Sequence, residues 1–427
     1  MKKLSLLLSI SCLTSAVFAA DVVPSPLQVK LEGVFDFQSG FRNQSKLKGK
    51  DKMVSANRGG FAFKTTAAFL TTITNTVDDI NYGAKIVLVP TSKVKGGPNY
   101  NGSHLFLESD YGRTEIGAPH DASAKMRVMA DDTAAASGAG GGWSDYAKLD
   151  GENVKHGDMD PGFVGSADYF FDTSFKTKAG QINDGTEPAR KISYYTPKVS
   201  GFQAGISYIP DSSNVGGRGI SIEDGAKSGI TKVALPGPKD QHFMEVNQNV
   251  KDAFAAGATY EYNISDGVDV KIGVTGEYGK SARKLKETNT TNTPETTEYK
   301  LSNLKTYNIG AALTFGNFSY AASYGSLGKS LTAKEYHKTG RDTNYYNGAI
   351  AYGQGPIKAS VSYFKSKRFK NTVDVVAIGT EYKMLPGLLP YAEIAYFQAK
   401  GKPVFYPEAQ KKKIKGTVAI VGARLKF

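Results

Sequence analysis

The feature that most constrains this chain is a repeat of two. In 268–278, VDVKIGVTGEY, the residues Val268, Val270, Ile272, Val274 and Tyr278 share one parity, and Asp269, Lys271, Gly273, Thr275 and Glu277 share the other. In 306–315, Tyr307, Ile309, Ala311, Leu313 and Phe315 alternate with Asn308, Gly310, Ala312 and Thr314. In 253–263, Phe254, Tyr260 and Tyr262 oppose Thr259, Glu261 and Asn263. Successive side chains of an extended strand point to opposite faces, so each segment has one apolar and one polar side. The apolar parity often ends in Tyr or Phe, as an aromatic girdle at a membrane interface does.

The connections alternate as well. Some are tiny: 265–267, 315–317, 353–355 and 386–388. Others are long and polar: 211–250, 280–302, 327–343 and 399–413. Tight turns at one end and long loops at the other mark a membrane β-barrel, and a soluble sandwich has no reason to keep that order. Strands are predicted over 27–38, 60–75, 80–90, 102–109, 111–118, 189–198, 201–209, 252–264, 267–279, 304–316, 317–326, 344–353, 356–365, 372–385, 388–398 and 414–427. That is an even number, and most approach the roughly 9–11 residues a tilted strand needs to cross a bilayer. The expected fold is all-β, a closed antiparallel transmembrane barrel of about 16 strands. Closure follows because unpaired backbone groups in lipid are costly.

Both termini fit. The chain opens MKKLSLLLSISCLTSAVFAAD, with basic Lys2 and Lys3, an apolar stretch to about Val17, and small residues Ala19 and Ala20. This is the form of a secretory signal peptide over 1–20, leaving 21–427 as the barrel. Ser9 argues against a lipoprotein site at Cys12, since a leucine is expected three residues before the modified cysteine. Cys12 is the sole cysteine, so the mature chain would have neither a disulfide nor a thiolate ligand. Removing Lys2 and Lys3 leaves 51 basic against 40 acidic side chains, a net +11. Such a balance suits anionic surfaces or solutes, and export argues against nucleic acid. The chain ends VAIVGARLKF, with Ala419, Val421, Ala423, Leu425 and Phe427 on one parity. A last strand paired to the first would hold Phe427 at the inner membrane interface, where a ring is favourable.

In this order, the segments resemble a known family. LESDYGRTEIGAPHD (107–121) is similar to the fifth strand of the general porins of Gram-negative outer membranes and to its entry into the third loop. RKISYYTPKVSGFQAGISYIP (190–210) is similar to the strand–turn–strand that follows that loop, and the terminal VGARLKF to the signal shown to the barrel-assembly machinery. The resemblance implies a homotrimer in the outer membrane, in contact with lipid and lipopolysaccharide. It implies passive diffusion of small hydrophilic solutes and ions, and no cofactor or catalytic residue. It also implies that the third loop, here 119–188, folds into the lumen and sets the bore.

Charged rings at such an aperture orient dipolar solutes and bias ion choice. The loop supplies Asp131 and Asp132 as acidic candidates, with Asp121 and Asp145 behind them. The same ADDTAA stretch also reads as a helix cap or a solvated turn. Parity turns Lys30, Lys64, Lys85, Arg113 and Lys191 toward the lumen, and further round Lys271, Lys358 and Arg424. The family resemblance favours the first five as the basic wall; Arg190 has the other parity. A basic wall with this net charge suggests a mild anion preference.

Other functions fit less well. The histidines at 104, 120, 156, 242 and 337 lack metal-ligand spacing, and neither G-x-S-x-G nor H-E-x-x-H occurs. A substrate-specific channel would want aromatics on the lumen parity, where Tyr195 and Phe364 are exceptions to the trend. A surface antigen or adhesin would use the long polar loops 211–250 and 280–302.

Overall fold

The computed structural model describes residues 27–45, 60–88, 102–147, 189–212, 230–234, 242–247, 250–281, 284–289, 295–331, 343–368, 371–401 and 412–427. The leader expected over 1–20 lies outside them, as do 148–188 of the expected third loop. Twenty strands occur among the described residues. The first seven are β1 (Gln28–Gln44), β2 (Phe61–Val77), β3 (Ile80–Leu88), β4 (His104–Ser109), β5 (Gly112–Gly117), β6 (Lys191–Tyr195) and β7 (Phe202–Asp211). Next come β8 (Ile230–Ala234), β9 (His242–Asn247), β10 (Val250–Ser265), β11 (Val268–Ser281), β12 (Lys284–Asn289) and β13 (Glu295–Lys300). The remainder are β14 (Leu304–Phe315), β15 (Phe318–Gly328), β16 (Thr343–Gln354), β17 (Ile357–Arg368), β18 (Asn371–Tyr382), β19 (Leu388–Gly401) and β20 (Lys412–Lys426).

Sixteen of these pair in one closed antiparallel barrel, in the order β1–β7, β10, β11, β14–β20 and back to β1. The expected strand number is therefore the observed one. The other four, read from the sequence as loop, form a separate sheet in the order β13–β12–β9–β8. They come from two different long connections, so no local pattern announces their pairing. One expected regularity breaks: β17 and β18 are joined at the long-loop end by only 369–370.

The barrel is inverted relative to a soluble protein. On β11, Ile272, Val274 and Tyr278 are exposed on the outside, while Thr275 and Glu277 are buried within. Lipid is the solvent for the first set, so the exposed apolar band is its stable state. At the short-turn end, Asp78 and Asp79 both adopt left-handed φ, 47° and 65°, as a two-residue type I′ hairpin requires.

The seam between first and last strands runs from Val34↔Lys426 to Gln44↔Gly416. Phe427 extends it by one reciprocal pair: its N–H donates to Gly33 O at 3.1 Å, and its carbonyl accepts from Gly33 N at 2.8 Å. Its ring lies over Gly33 on the outer face, 6.4 Å from the Phe69 ring. A Cβ on Gly33 would stand 2.3 Å from the ring tip, so the glycine leaves the space the terminal ring fills. Phe427→Ala and Gly33→Leu should each slow closure in refolding, read as less heat-modifiable folded band on cold SDS gels. Wild-type rates in both variants would refute a role for the ring at the seam.

Candidate functional site

The connection between β5 and β6 turns inward. Its described part, 118–147, lies against the lumen face of the wall. Lys191 anchors its two ends: 2 % exposed, it donates from Nζ to Pro119 O at 2.6 Å and to Ala189 O at 2.7 Å. Lys191 therefore holds the loop's root and does not face a passage. A short helix α1 (Ala122–Met126) follows, capped by Asp121, whose Oδ1 accepts from Ala124 N at 2.9 Å. Asp121 is fully buried, so its charge serves the helix start.

From α1 the chain passes round the inner wall over a track of glycines. Cβ atoms at Gly257 and Gly273 would each stand 2.7 Å from Met126, and at Gly310 only 1.9 Å from Val128 O. Gly273 and Gly310 are register partners on adjacent strands, as are Gly205 and Gly257. The absence of side chains on these lumen positions lets the loop backbone lie directly on the wall.

Past a 3₁₀ turn at Ala130–Asp132, the loop is held through its own N–H groups. Ala135 N donates to Ser360 Oγ at 2.7 Å, and Ala136 N to Glu381 Oε2 at 3.3 Å. Ser137 N and Gly138 N both donate to Glu393 Oε2, at 3.0 and 2.7 Å. Ala139 N donates to Ser362 Oγ at 2.8 Å and Gly140 N to Asp131 Oδ1 at 3.0 Å. Six consecutive amides thus find side-chain acceptors, which meets the cost of burying an irregular backbone segment. Four of the acceptors, Ser360, Ser362, Glu381 and Glu393, stand on β17–β19.

The same sector holds an apolar core inside the barrel. Trp143, fully buried, stacks on Phe397 at 5.0 Å and donates from Nε1 to Ala139 O at 2.7 Å. Tyr345, Phe364, Val375, Val418 and Ile420 complete the cluster from lumen positions of β16–β20. Lumen aromatics are thus more numerous than parity suggested, but they are covered by the loop and form no free track. The signal was legible in β18, whose TVDVVAIG carries apolar residues on both parities, as a strand buried on both faces does.

Of the acidic candidates, Asp131 is hydrogen-bonded on both oxygens, its Oδ2 accepting from Asn347 Nδ2 at 3.1 Å. Asp132 folds back to accept from Met129 N at 3.2 Å, the turn-capping alternative. Asp145 pairs with Lys64 at 2.5 Å, and beside it Arg42 Nη1 donates to Tyr146 O at 3.0 Å. Lys30 pairs with Glu32 at 2.7 Å near the short-turn end of β1, in the same cross-strand row as Thr72 and Lys85. Lys358 reaches Ala134 O at 3.4 Å, and Arg424 pairs with Asp36 at 2.8 Å.

The structure gathers Lys85 and Arg113 in a cavity of about 1080 Å³ on the wall of β2–β7, β10 and β11. Glu115, which the sequence reading passed over, sits at its centre, 2 % exposed. Its Oε1 accepts from Arg113 Nε at 2.9 Å, and its Oε2 from Lys125 Nζ. His104 Nε2 is 3.6 Å from Oε1. Arg113 also reaches Glu108 at 2.8 Å and lies 4.1 Å above the Phe106 ring. Farther along, Glu261 bridges Lys198 and Lys271, the latter at 2.8 Å. The polarity is mixed here: the wall supplies Glu115 beside Arg113 and Lys85, and the loop supplies Lys125. Burial pulls the Lys125 ammonium below its ordinary value, and Glu115 opposes that shift. Lys85 has no ion-pair partner among the described residues.

A closed sixteen-stranded barrel with an apolar exterior, a charged lumen and an inward loop defines a membrane channel of the porin type. The model of the Gram-negative porin family matches residues 7–402, and the chain belongs to that family. It is an outer-membrane protein with transmembrane β-strands, and its fold is that of a channel. Uncharacterized proteins of Rickettsia felis and Rickettsia conorii are 51 % and 50 % identical over 444 and 448 residues, covering all of each chain. Among solved structures, an anion-selective porin from Comamonas acidovorans superposes with a TM-score of 0.54 at 13 % identity, covering 94 % of this chain and all of that one. OmpT of Vibrio cholerae, in a trimer form, gives 0.51 at 14 % identity over 94 % of this chain and all of that one. At these identities the likeness is one of fold.

Two predictions follow from how the loop is docked. Glu393→Ala strips the acceptor from two amides, at about 1–3 kcal/mol for each one left unpaired. Trp143, the single tryptophan, should then emit at longer wavelength, with noisier channel currents; an unchanged spectrum would exclude this anchor. Burial raises the Asp131 carboxyl to about 6, although Gly140 and Asn347 favour its ionised form. A docked loop that holds this proton more tightly is most secure at low pH, weakens as pH rises from about 4 to about 6, and is level above. Asp131→Asn should flatten that part of the Trp143 emission profile, and a profile identical to wild type would refute the assignment.

Proposed function

We propose that the chain forms a water-filled outer-membrane channel for passive diffusion of small hydrophilic solutes and ions, with a mild preference for anions. The observation that carries this reading is the cavity along β2–β7, β10 and β11. Five Lys and Arg side chains (Lys85, Arg113, Lys125, Lys198, Lys271) line it against four acids (Glu108, Asp110, Glu115, Glu261). Most of these charges are paired and hold one another in place. Lys85 lines the same cavity without an ion pair among the described residues, so its charge is the one a passing anion meets. Rings of charged side chains at close quarters bias ion entry in this way. The anion selectivity named for the Comamonas acidovorans porin belongs to that protein, and the shared fold makes it a fair comparison for this one.

The working unit in this reading is a homotrimer. Strands β4, β5 and β6 have only 6, 6 and 5 residues. A tilted strand needs roughly 9–11 to cross the hydrocarbon. A wall this low is better covered by neighbouring copies than by lipid. Beside it, β1 and β2 carry exposed Phe35, Phe37, Phe41, Phe61, Phe63 and Phe69, rings without a hydroxyl to place at an interface. The trimer form described for OmpT is consistent with that arrangement. In the same reading Phe427 presents the last strand to the barrel-assembly machinery.

The test is single-channel recording in a planar bilayer across a KCl gradient. Conductance in steps of three with an anion-sign reversal potential is expected, and Lys85→Glu should move that potential toward cations. Absence of conductance would sink the channel reading, and an unmoved potential would remove Lys85 from it.

A further inference from the structure

The charged cavity contains an imidazole that, while neutral, takes no part in its ion pairs. Gly102 adopts φ 90°, a left-handed conformation that favours glycine, and its carbonyl oxygen lies 2.7 Å from His104 Nδ1. A carbonyl can only accept, so Nδ1 carries the hydrogen. In the neutral ring Nε2 is then a bare acceptor. It faces another acceptor, Glu115 Oε1, at 3.6 Å, and has no hydrogen-bond partner among the described residues. Both side chains are buried, with 6 % and 2 % of their surface exposed. Two acceptors buried face to face leave Nε2 unsatisfied, and one proton on Nε2 converts the contact into a charge-assisted hydrogen bond.

The groups around His104 decide what that proton does. Along its row, Lys85 is the partner on β3 and Gly117 the partner on β5. Beyond Gly117, Lys191 of β6 is committed to the root of the loop. Glu115 and Arg113 approach from β5 and Lys125 from α1, and His120 lines the same cavity. Arg113 and Lys125 are matched by Glu108 and Glu115, so these four charges cancel while His104 is neutral. A proton on His104 has no acid left to match it. The cluster then stands one charge positive, in the cavity that already holds the ammonium of Lys85.

We propose that His104 is a positioning residue for ion choice: its protonation adds a positive charge to the cavity and raises the channel's preference for anions in acid. His104 does not meet the passing solute, because its Nε2 is covered. It acts through Glu115. With the imidazolium bound, that one carboxylate is shared among His104, Arg113 and Lys125, which loosens its hold on Lys125 and frees that ammonium toward the passage. The inference rests on the channel reading above, and the two fail differently. A barrel that does not conduct sinks both, whereas a conducting barrel whose selectivity ignores His104 sinks only this one.

The test records reversal potentials of the full barrel in a planar bilayer across a dilute KCl gradient, from about pH 7.5 down to about pH 4.5, where screening is weak and an imidazole titrates. The chloride-to-potassium permeability ratio of the wild type should rise in a step of about twofold, the order expected for one unit charge added several ångströms from an ion in water. H104Q cannot titrate at this position and should lose the step, while H120Q should keep it. H104K carries the charge throughout and should show near pH 7.5 the preference that the wild type reaches only in acid. NMR of the barrel in detergent with nitrogen-labelled histidine gives a second readout, the His104 signals being those lost in H104Q. Nε2 should be unprotonated near neutral pH and protonated in acid. Equal steps in wild type and H104Q would overturn the proposal. So would a step abolished by H120Q, or an Nε2 that stays unprotonated down to about pH 4.5.

Discussion

Everything in this molecule depends on leaving no backbone polar group facing hydrocarbon. A sheet in lipid has no water to satisfy its edges, so it must close on itself. Closure makes β20 the neighbour of β1 and ties residue 427 to residue 33, and because that pair is antiparallel the strand number is even with both ends at the short-turn rim. The period-two pattern is the consequence in sequence. Once the sheet is closed, one parity meets lipid and the other meets the lumen, and each side chain is chosen by which solvent it faces.

The lumen repeats the problem on a smaller scale. A segment of irregular backbone lies inside, and its amides must also be met. The wall answers with carboxylates and hydroxyls aimed at successive N–H groups, with glycines where the backbone passes closest, and with a patch of apolar side chains beneath Trp143. The two halves of the lumen therefore differ in character. The β16–β20 side is a packed interior, and the β2–β11 side is lined by charge.

Much of the barrel was legible because its rule is local. Alternation and turn spacing gave all sixteen barrel strands, and the errors lie at their ends. β1 runs on to Gln44, and β6 is shorter than its alternation suggested. The small sheet β13–β12–β9–β8 was not legible, since its pairs join segments of two separate connections with mixed Lys, Glu and Thr. The site was readable only in part. Parity sorts lysines and arginines by face, but it cannot say which carboxylate each one meets. Nothing in the composition of the loop separates Asp121, a helix cap, from Asp145, a partner of Lys64. Glu115 and Glu393 look like ordinary lumen carboxylates in the sequence, and their weight comes from the loop residues that arrive above them.

The contacts of that loop have a bearing on how the barrel matures. Ser137 and Gly138 take their acceptor from a residue 256 and 255 positions later, and Ala135 from one 225 later. None of these partners exists for the loop until the last quarter of the barrel is in place. Contacts so distant along the chain form late, because the intervening chain must be ordered first. Docking of residues 135–138 therefore cannot be complete before the last strands are placed, and it is among the late steps of assembly.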